Sequence, residues 1–402
     1  MSNGNKTPKI RFPGFSDAWE QRKLSELTDY SNGTGHEEYV VAHGKYELIT
    51  LKSINSEGEL VSSEKYVDEK FETLKQGTLI MMLSEQAKGM LGMTTVIPCN
   101  DRYVLNQRVA ALNLHDKIDA SFLTKSINNK QAYFEQMGAG TKVQNISRGH
   151  VENCLIDIPC YEEQQRIGGY FNNLDNLITL HQHKCEAIKT VKKSMLGKMF
   201  PKNGERYPEI RFSEFSDAWE QRKLGELYEV NNERNKDLIG YDKTFSIATM
   251  TYKDEGNGAA DSSLANYKVL RIGDIAFEGH TNMEFRYGRF VANDVGNGIM
   301  SPRFSTLRPI NVMPVSFWKY YIHYEPIMRK ILVCSTKAGT MMNELVASDF
   351  FAQDILVPSI EEQTKIGEYF QNLDNLIALH QRKCDELKKL KKYMLQNMFP
   401  RG

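Results

Sequence analysis

The sequence predicts an α+β fold: two mixed α/β domains joined by two long helices that form an antiparallel coiled coil, with a pseudo-two-fold internal repeat. Three observations predict this fold. A short motif near the start of the chain returns about 200 residues later, a longer helical segment also returns, and the stretches between the repeats are unlike in sequence. Shared ends and unlike middles indicate one scaffold that presents two different binding domains.

Both repeats can be read directly from the sequence. Residues 10–24 return as 210–224, including Ile-Arg-Phe and Phe-Ser-Asp-Ala-Trp-Glu-Gln-Arg-Lys-Leu, and residues 159–201 return as 358–400 with about two thirds of positions identical. The repeats set the predicted boundaries: domain 1 at 1–157 with repeat motif 9–27, a central helix at 158–201, domain 2 at 202–356 with repeat motif 209–227, and a distal helix at 357–402.

The composition is that of a globular protein large enough for two domains. The chain has 402 residues, of which 41% are hydrophobic and 25% charged. No apolar run approaches the roughly 20 residues that a transmembrane helix needs, and the first ten residues contain no apolar signal core, so we expect a cytoplasmic protein. Six cysteines without CxxC spacing indicate neither a zinc knuckle nor a disulfide framework.

The net charge does not identify a partner. Lys+Arg and Asp+Glu both number 51. This balance weakens the case for a polyanion-binding protein but does not exclude one, because local patches matter more than the sum.

Each repeated segment of about 40 residues predicts one long helix. Pro159 ends a strand-like run, and Glu162 with Glu163 places negative charge in the first turn, where the helix dipole favours it. In the second copy, Ser359 and Glu362 have the spacing of a capping box, with Ser359 as N-cap and Glu362 bonding back to it.

Within each helix, apolar residues recur at alternating steps of three and four for about four heptads, which is typical of a coiled-coil seam. We expect the two helices to pair with each other. The alternative is that each helix packs only on its own domain. The predicted seam residues are Phe171, Leu174, Ile178, His181, Cys185 and Ile188 in the first helix, and Phe370, Leu373, Ile377, His380, Cys384 and Leu387 in the second.

The two dissimilar segments between the repeats, 28–157 and 228–356, predict one shared α/β arrangement. Each has two strand-like runs followed by a helical run and an Ala-Gly-Thr turn. The predicted elements are strands 77–83 and 104–114 with a helix at 122–134 in the first middle, and strands 273–277 and 303–307 with a helix at 317–331 in the second.

Catalytic motifs are missing from the sequence. It contains no phosphate-binding GxxxxGK[ST] loop, no HExxH, no GxSxG and no Asn-Pro-Pro-Tyr/Phe or Asp-Pro-Pro-Tyr motif. His36-Glu37-Glu38 does not have the spacing of a metal site. We therefore expect a non-catalytic protein without a metal of its own.

Base reading is the chemistry that the residues could support. The alternative for each single residue is a solvated surface side chain. The segment 140–148 combines a glycine turn with Lys, Gln, Asn, Ser and Arg. Gln and Asn can pair bidentately with adenine and Arg with guanine, whereas Lys suits phosphates. Further candidates lie near turns, at corresponding strand positions (Arg108 and Arg303) or between aromatic residues (Arg286 and Arg289). The full set of candidate DNA contacts is Lys52, Lys88, Arg108, Lys142, Gln144, Asn145, Arg148, Lys253, Arg286, Arg289, Arg303, Lys337 and Asn343.

The tandem arrangement resembles a known family. A variable domain followed by a long Pro-x-x-Glu-Glu-Gln helix occurs twice, at Pro159 and Pro358, and the opening Ile10 to Leu24 is similar to openings in the same family. The family is that of the specificity subunits of type I restriction–modification systems, and the resemblance covers essentially the whole chain.

The resemblance implies a DNA-recognition subunit. Each domain would read one half of a bipartite asymmetric site in double-stranded DNA, and the coiled coil would set the spacer and dock two methyltransferase (modification) subunits. Restriction/motor subunits would add cleavage, and S-adenosylmethionine, ATP and Mg²⁺ would belong to those partners and not to this chain. A helix of about 38 residues spans about 57 Å, enough to hold two domains one DNA turn apart, about 34 Å.

Two other functions remain open at this point. One is a coiled-coil scaffold that is not specific for DNA, although a scaffold gives no reason for the unlike middles. The other is a DNA-modifying enzyme with an unrecognised active site, which the missing motifs disfavour.

Overall fold

The computed structural model describes residues 7–85, 87–140, 143–202, 204–253 and 261–400. The chain divides into two compact units, one formed by 1–181 with 382–402 and the other by 182–381. Each unit therefore contains part of both long helices, whereas the boundaries predicted from the repeats treat the helices as separate segments. Within the described ranges, no helix has the length and apolar character that crossing a membrane requires.

The described residues of the first unit form nine strands and three short helices, and the long helix α4 begins in this unit. The strands are β1 Glu20–Lys23, β2 Thr28–Asn32, β3 Tyr46–Ile49, β4 Tyr66–Val67, β5 Leu79–Met82, β6 Thr94–Val96, β7 Tyr103–Leu105, β8 Val109–Leu114 and β9 Leu155–Ile158. The helices are α1 Ala120–Asn128, α2 Gln131–Met137, α3 Arg148–Glu152 and α4 Tyr161–Met199, with 3-10 turns at Leu24–Glu26, Glu37–Tyr39 and Leu51–Ser53.

The second unit repeats this pattern, and the long helix α9 begins in it. Its strands are β10 Glu220–Lys223, β11 Tyr228–Val230, β12 Phe245–Ser246, β13 Thr251–Tyr252, β14 Lys268–Leu270, β15 Ile275–Glu278, β16 Arg289–Ala292, β17 Gly298–Met300, β18 Ser305–Pro309, β19 Thr336–Lys337, β20 Glu344–Leu345 and β21 Asp354–Val357. Its helices are α5 Leu224–Leu227, α6 Val315–Tyr321, α7 Glu325–Ser335, α8 Ala347–Phe351 and α9 Ile360–Asn397, with 3-10 turns at Tyr241–Lys243 and Asp261–Asn266.

The two units have the same central sheet. The strand order is β2-β8-β5-β6 in the first and β11-β18-β15-β16 in the second, antiparallel throughout. In each unit the strand of the first repeat motif pairs with the strand before the long helix: β1 with β9, and β10 with β21. The units differ beside the sheet, where the first has a three-stranded β4-β3-β7 sheet and the second has two-stranded pairs. The predicted α+β class and internal repeat are confirmed.

Three predicted elements are interrupted. The strand predicted at 104–114 is two strands, because the chain turns at Arg108, whose φ is +65°. The helix predicted at 122–134 breaks after Asn128, whose side chain binds the backbone of Thr94. The helix predicted at 317–331 breaks before Pro326, which has no N–H to continue a helix.

Aromatic residues of the repeats build a matching core in each unit. In the first unit, Trp19, Phe122, Phe171 and Phe399 are fully buried or nearly so, and the ring centroids of Trp19 and Phe122 lie 5.6 Å apart. The equivalent residues of the second unit are Trp219, Phe317, Phe370 and Phe200. Each unit thus includes the phenylalanine just beyond the end of one long helix and the first turns of the other.

Pairing between the long helices is visible inside each unit. In the first unit, Asp175 of α4 lies 2.5 Å from the Nζ of Lys391 of α9, and in the second, Asp374 of α9 lies 2.5 Å from the Nζ of Lys192 of α4. The start of one helix therefore meets the end of the other, as in the predicted antiparallel coiled coil. Lys192 and Lys391 lie in the heptad pattern, and their partners offset the cost of a charged seam. The second partner of each aspartate is Lys125 in the first unit and Tyr320 in the second.

The seam residues vary in burial. Phe171, Leu174, Ile178 and Cys185 of α4 are at most 6% exposed. In α9, Phe370 and Cys384 are buried, while the other seam positions are half-buried. His181 and His380, at matching levels, are also half-buried.

The repeated Glu-Glu-Gln at the start of each long helix connects three segments of its unit. Glu163 is fully buried, and both of its oxygens accept from Arg11 at 2.7 Å. Gln164 accepts from the backbone N–H of Asp119 at 3.0 Å, just before α1. Arg211 binds Glu362 in the same bidentate way in the second unit. The repeat motif and the variable domain are therefore both attached to the helix start.

This arrangement corrects one prediction. The Oγ of Ser359 does accept from the N–H of Glu362, at 3.3 Å, so Ser359 is an N-cap. The Glu362 carboxylate, however, binds Arg211 and does not bond back to Ser359 as a capping box would. A guanidinium that offers two parallel N–H donors is a stronger partner for a carboxylate than one backbone N–H.

An ion network links strands of the second unit. Arg308 binds Asp274 at 2.7 Å and Glu233 at 2.6 Å. Arg271 donates to both oxygens of Glu233, at 2.6 Å and 3.0 Å. Asp274 is almost fully buried. The hydrogen bond from Arg271, with that from Arg308, lowers the pKa of Glu233 to about 2.

We expect acid to weaken the second unit through Glu233. A carboxylate whose pKa falls from roughly 4.3 in the unfolded chain to about 2 in the folded one stabilises the fold above pH 5, and that stabilisation is lost as pH falls toward 2. The contribution is on the order of 2 kcal/mol. Between pH 5 and pH 3, the free energy of unfolding should fall less in Glu233→Gln than in the wild type, whereas Glu229→Gln, an exposed glutamate on β11, should behave like the wild type. Equal losses in all three proteins would contradict this assignment.

Candidate nucleic-acid interface

Each four-stranded sheet has one end where loops converge. In the first unit β5 ends beside the start of β8, and in the second β15 ends beside the start of β18, because these strands are antiparallel neighbours. We call this region the loop end of each sheet. It comprises residues 83–85, 87–90, 106–108, 139–140 and 143–148 in the first unit, and 279–288, 303–304 and 338–345 in the second.

Backbone hydrogen bonds hold the last loop onto the sheet in both units. The N–H of Ile146 donates to the carbonyl of Leu83, and the N–H of Asn343 donates to the carbonyl of Gly279, both at 2.9 Å. A Cβ at Gly279 would lie 1.9 Å from the carbonyl oxygen of Asn343, so this approach requires glycine. The loop that follows Ala-Gly-Thr in the sequence is thus fixed at equivalent places.

Several predicted DNA contacts of the first unit lie at its loop end or, like Lys52, beside it. Lys52 and Arg108 line one cavity of about 290 Å³, and Lys88 is exposed in the segment after β5. Asn145 is exposed, and its Oδ1 accepts from the Oγ of Ser84 at 2.5 Å. Gln144 is half-buried, with its carbonyl accepting from the N–H of Glu85. Lys142 lies outside the described residues.

The second unit brings a different set together. Arg303 and Asn343 line a cavity of about 430 Å³ together with the exposed Met341. Arg286 is exposed in the β15–β16 connection. Lys253, also exposed, follows β13, and its N–H donates to the carbonyl of Thr244.

Three predicted contacts are cations that pair with a carboxylate of the same chain. Arg148 binds Glu152 at 2.7 Å and stacks over the ring of Tyr30. Arg289 binds Glu278 at 2.7 Å, and Lys337 lies 3.3 Å from Glu344. Binding DNA through these cations would require exchange of the intramolecular partner. All the predicted contact residues remain predictions.

The sequence reading missed the exposed carboxylate of Glu37. Its Oε1 accepts from the Nδ2 of Asn106 at 3.0 Å and from the Nε2 of Gln107 at 2.9 Å. These hydrogen bonds, that from Asn106 first, lower its pKa below the ordinary value. The residues are about 70 positions apart, so no local pattern could have indicated the contact.

The sequence reading also missed a second apolar stripe on the long helices. Leu177 and Leu180 of α4 are 43% and 46% exposed, and their repeat equivalents Leu376 and Leu379 of α9 are 43% and 39% exposed. Val191 and Leu390 form a further exposed equivalent pair. Since the same positions are exposed and apolar in both copies, they are candidates for a partner-binding surface.

The fold and these loop ends define a protein with two similar domains that present different polar surfaces on paired helices. The chain belongs to the family described as the type I restriction modification DNA specificity domain, whose model matches residues 16–190 and 216–389. The family resemblance read from the sequence is therefore confirmed.

Two relatives are specificity subunits from Methanocaldococcus jannaschii. The type I restriction enzyme MjaVIII specificity subunit is 23% identical over 321 residues, which cover 73% of this chain and 72% of the relative. The putative type I restriction enzyme MjaX specificity subunit is 23% identical over 274 residues, or 62% of this chain and 60% of that one.

Solved structures share the fold. The S subunit of a type I restriction–modification system from M. genitalium has a TM-score of 0.63 at 17% identity, with 98% of this chain and all of that chain covered. A chain from a structure of type I restriction–modification complex assembly has a TM-score of 0.51 at 17% identity, with 98% and 99% covered. At these identities the likeness shows the fold alone.

Proposed function

We propose that this chain is the sequence-specific DNA-recognition subunit of a type I restriction–modification complex, without catalysis of its own. Each variable domain reads one half of a bipartite asymmetric site in double-stranded DNA. The observation that carries the proposal is the repetition of one sheet order with different residues at the two loop ends. Membership of the DNA specificity family supports it over a scaffold or an enzyme with an unrecognised site.

The loop ends differ in what they can recognise. Gln144 and Asn145 in the first unit offer amides, which suit adenine N6 and N7. Met341 in the second unit is 78% exposed next to Asn343 and offers an apolar contact of the kind that suits a thymine methyl group. Two half-sites of different sequence follow from this difference.

The coiled coil sets the spacer between half-sites and docks two methyltransferase subunits. The exposed Leu177, Leu180, Leu376 and Leu379 support docking, because equivalent apolar positions on both helices provide two similar surfaces. Restriction/motor subunits join the complex for cleavage. S-adenosylmethionine, ATP and Mg²⁺ are held by these partners.

Exchanging residues 228–356 for the matching segment of another family member should change one half-site only. The segment contains the loop end of the second unit but neither repeat motif nor long helix, so the first half-site and the spacer should be kept. Mapping of N6-methyladenine in a host that expresses the chimera with the methyltransferase partner measures the result.

The matched control is exchange of residues 28–157, which should change the other half-site. If either exchange altered both half-sites together, the two domains would not read DNA independently.

A further inference from the structure

A cavity of about 290 Å³ at the loop end of the first unit combines one carboxylate with several cations. The charged and amide side chains that line it are Glu37, Lys52, Lys65, Asn106, Gln107 and Arg108. Glu37 and the cations are exposed. Four separate stretches of the chain meet here, at 37, 50–52, 65 and 106–108, so the fold and not local sequence places these groups together.

The carboxylate of Glu37 is oriented by amides. Asn106 is 4% exposed, and its Oδ1 accepts from the N–H of His36 at 3.1 Å, which fixes its Nδ2 toward Glu37. Gln107 supplies a second donor to the same oxygen, Oε1. The other oxygen, Oε2, takes part in neither bond and keeps its capacity to accept.

The backbone around the carboxylate leaves little freedom. A Cβ at Gly33 would lie 1.9 Å from the carbonyl oxygen of Asn106, so the segment leading to Glu37 packs directly on the turn that carries Gln107. Arg108, with φ +65°, completes that turn. Because these backbone segments are in close contact, the Glu37 carboxylate is held in one position before a ligand binds. Such preorganisation favours discrimination between ligands.

The mixture of charges is compatible with binding in a DNA groove, where a carboxylate can contact a base edge while cations contact phosphates. A carboxylate near DNA is repelled by phosphates unless cations compensate for it, and Lys52, Lys65 and Arg108 line the same cavity. In the major groove cytosine presents one amino donor, N4, while adenine presents its N6 donor beside the N7 acceptor. An oriented carboxylate that offers only acceptors therefore matches cytosine better than adenine.

We propose that Glu37 is a specificity-determining residue that reads a cytosine in the half-site of the first domain, with its carboxylate accepting from the N4 amino group. Lys52 and Lys65 contact flanking phosphates and set the depth at which the carboxylate enters the groove. This inference rests on the proposed function and adds a base and the residue that recognises it.

The test is Glu37→Gln in the complex with the methyltransferase partner. Glutamine keeps the size of the side chain, and its Oε1 can still accept from Asn106 and Gln107, so a merely structural role of Glu37 would survive. Its Nε2, however, puts a donor in place of the acceptor Oε2, and a donor no longer matches cytosine N4. The control is Glu57→Gln, an exposed glutamate outside the cavity.

Genomic N6-methyladenine mapping first gives the wild-type motif, and DNA duplexes with each base pair of that motif replaced in turn then give the discrimination at each position. We expect the domain 1 half-site to contain one C·G pair at which Glu37→Gln lowers discrimination by roughly 5- to 150-fold. The second half-site and the spacer should stay unchanged, and Glu57→Gln should match the wild type.

The possible outcomes distinguish the role of Glu37, the assignment of cytosine and the proposed function itself. Unchanged discrimination at every position of a methylated motif would overturn the role of Glu37 while leaving the proposed function intact. Loss of discrimination only at a pair other than C·G would overturn the base assignment. Equal effects on both half-sites would also overturn the inference, whereas a wild-type chain that directs no bipartite methylation would overturn the proposed function itself.

Discussion

Replacing Glu163 with glutamine should lower the stability of the first unit by about 3 kcal/mol. Glu163 is 0% exposed and Arg11 is 12% exposed, and two hydrogen bonds of 2.7 Å join them. The neutral amide leaves the guanidinium buried without its counter-charge, and removing one partner of a buried pair costs more than the pair contributes. The repeat motif and the helix start should then separate more readily.

Native-state hydrogen exchange of peptides from β1, β9 and the first turns of α4 measures this loss. Glu162→Gln is the matched control, because Glu162 is the exposed neighbour in the same helical turn and its removal affects only the helix dipole, by about 0.5 kcal/mol. Replacing both partners by apolar residues, Arg11→Met with Glu163→Leu, should recover most of the loss. Protection unchanged in Glu163→Gln would show that the pair does not hold the two segments together.

Introducing aspartate at Leu177 and Leu376 should weaken binding of the methyltransferase partner by about 100-fold or more. Burial of a leucine stabilises an interface by roughly 1.5–3 kcal/mol, and a carboxylate at the same place must also be desolvated. Both leucines are 43% exposed in this chain, so its own fold should tolerate the change. The partner affinity, measured by analytical ultracentrifugation or titration of the purified subunits, should fall while thermal unfolding of the chain alone stays nearly the same.

Asn176→Asp with Asn375→Asp is the matched control. These exposed residues precede the two leucines in the helices and acquire the same charge without loss of apolar surface. Leu174→Asp, at a buried seam position, should instead unfold the coiled coil. Normal partner binding by Leu177→Asp with Leu376→Asp would exclude this stripe as the docking surface.

Much of the fold could be predicted because the sequence repeats. Two segments that begin and end with the same sequence must pack against the same flanking elements. The equivalent strand orders confirm that the two dissimilar segments between the repeats share an architecture. Heptad spacing predicted the paired helices, and Asp175 with Lys391 shows how a charged seam position is accommodated. The break at Arg108 was not predicted, because a strand and a strand interrupted by one positive φ residue have the same apolar pattern.

The long-range contacts could not be predicted. Arg11 and Glu163 are 152 residues apart, and only the recurrence of both types at Arg211 and Glu362 hinted at a pair. Glu362 looked like the acid of a capping box because local spacing cannot show a distant guanidinium.

The candidate DNA contacts were chosen by residue type, and the structure adds which of them lie together. Arg303 and Asn343 share a cavity, as do Lys52 and Arg108, whereas Arg148 is occupied by Glu152. Residue type alone does not indicate Glu37, because a lone carboxylate is not distinguished from a solvated surface glutamate in the sequence. Its role depends on two amide donors that only the tertiary fold brings near.

The most direct test of the account is to express this chain with its methyltransferase partner and map N6-methyladenine across the host genome. We expect methylation at a split motif with two different half-sites and one fixed spacer, dependent on this chain. With the partner active and the chain folded, the absence of such methylation, or a single uninterrupted motif, would contradict the assignment of two DNA-reading domains on one coiled coil.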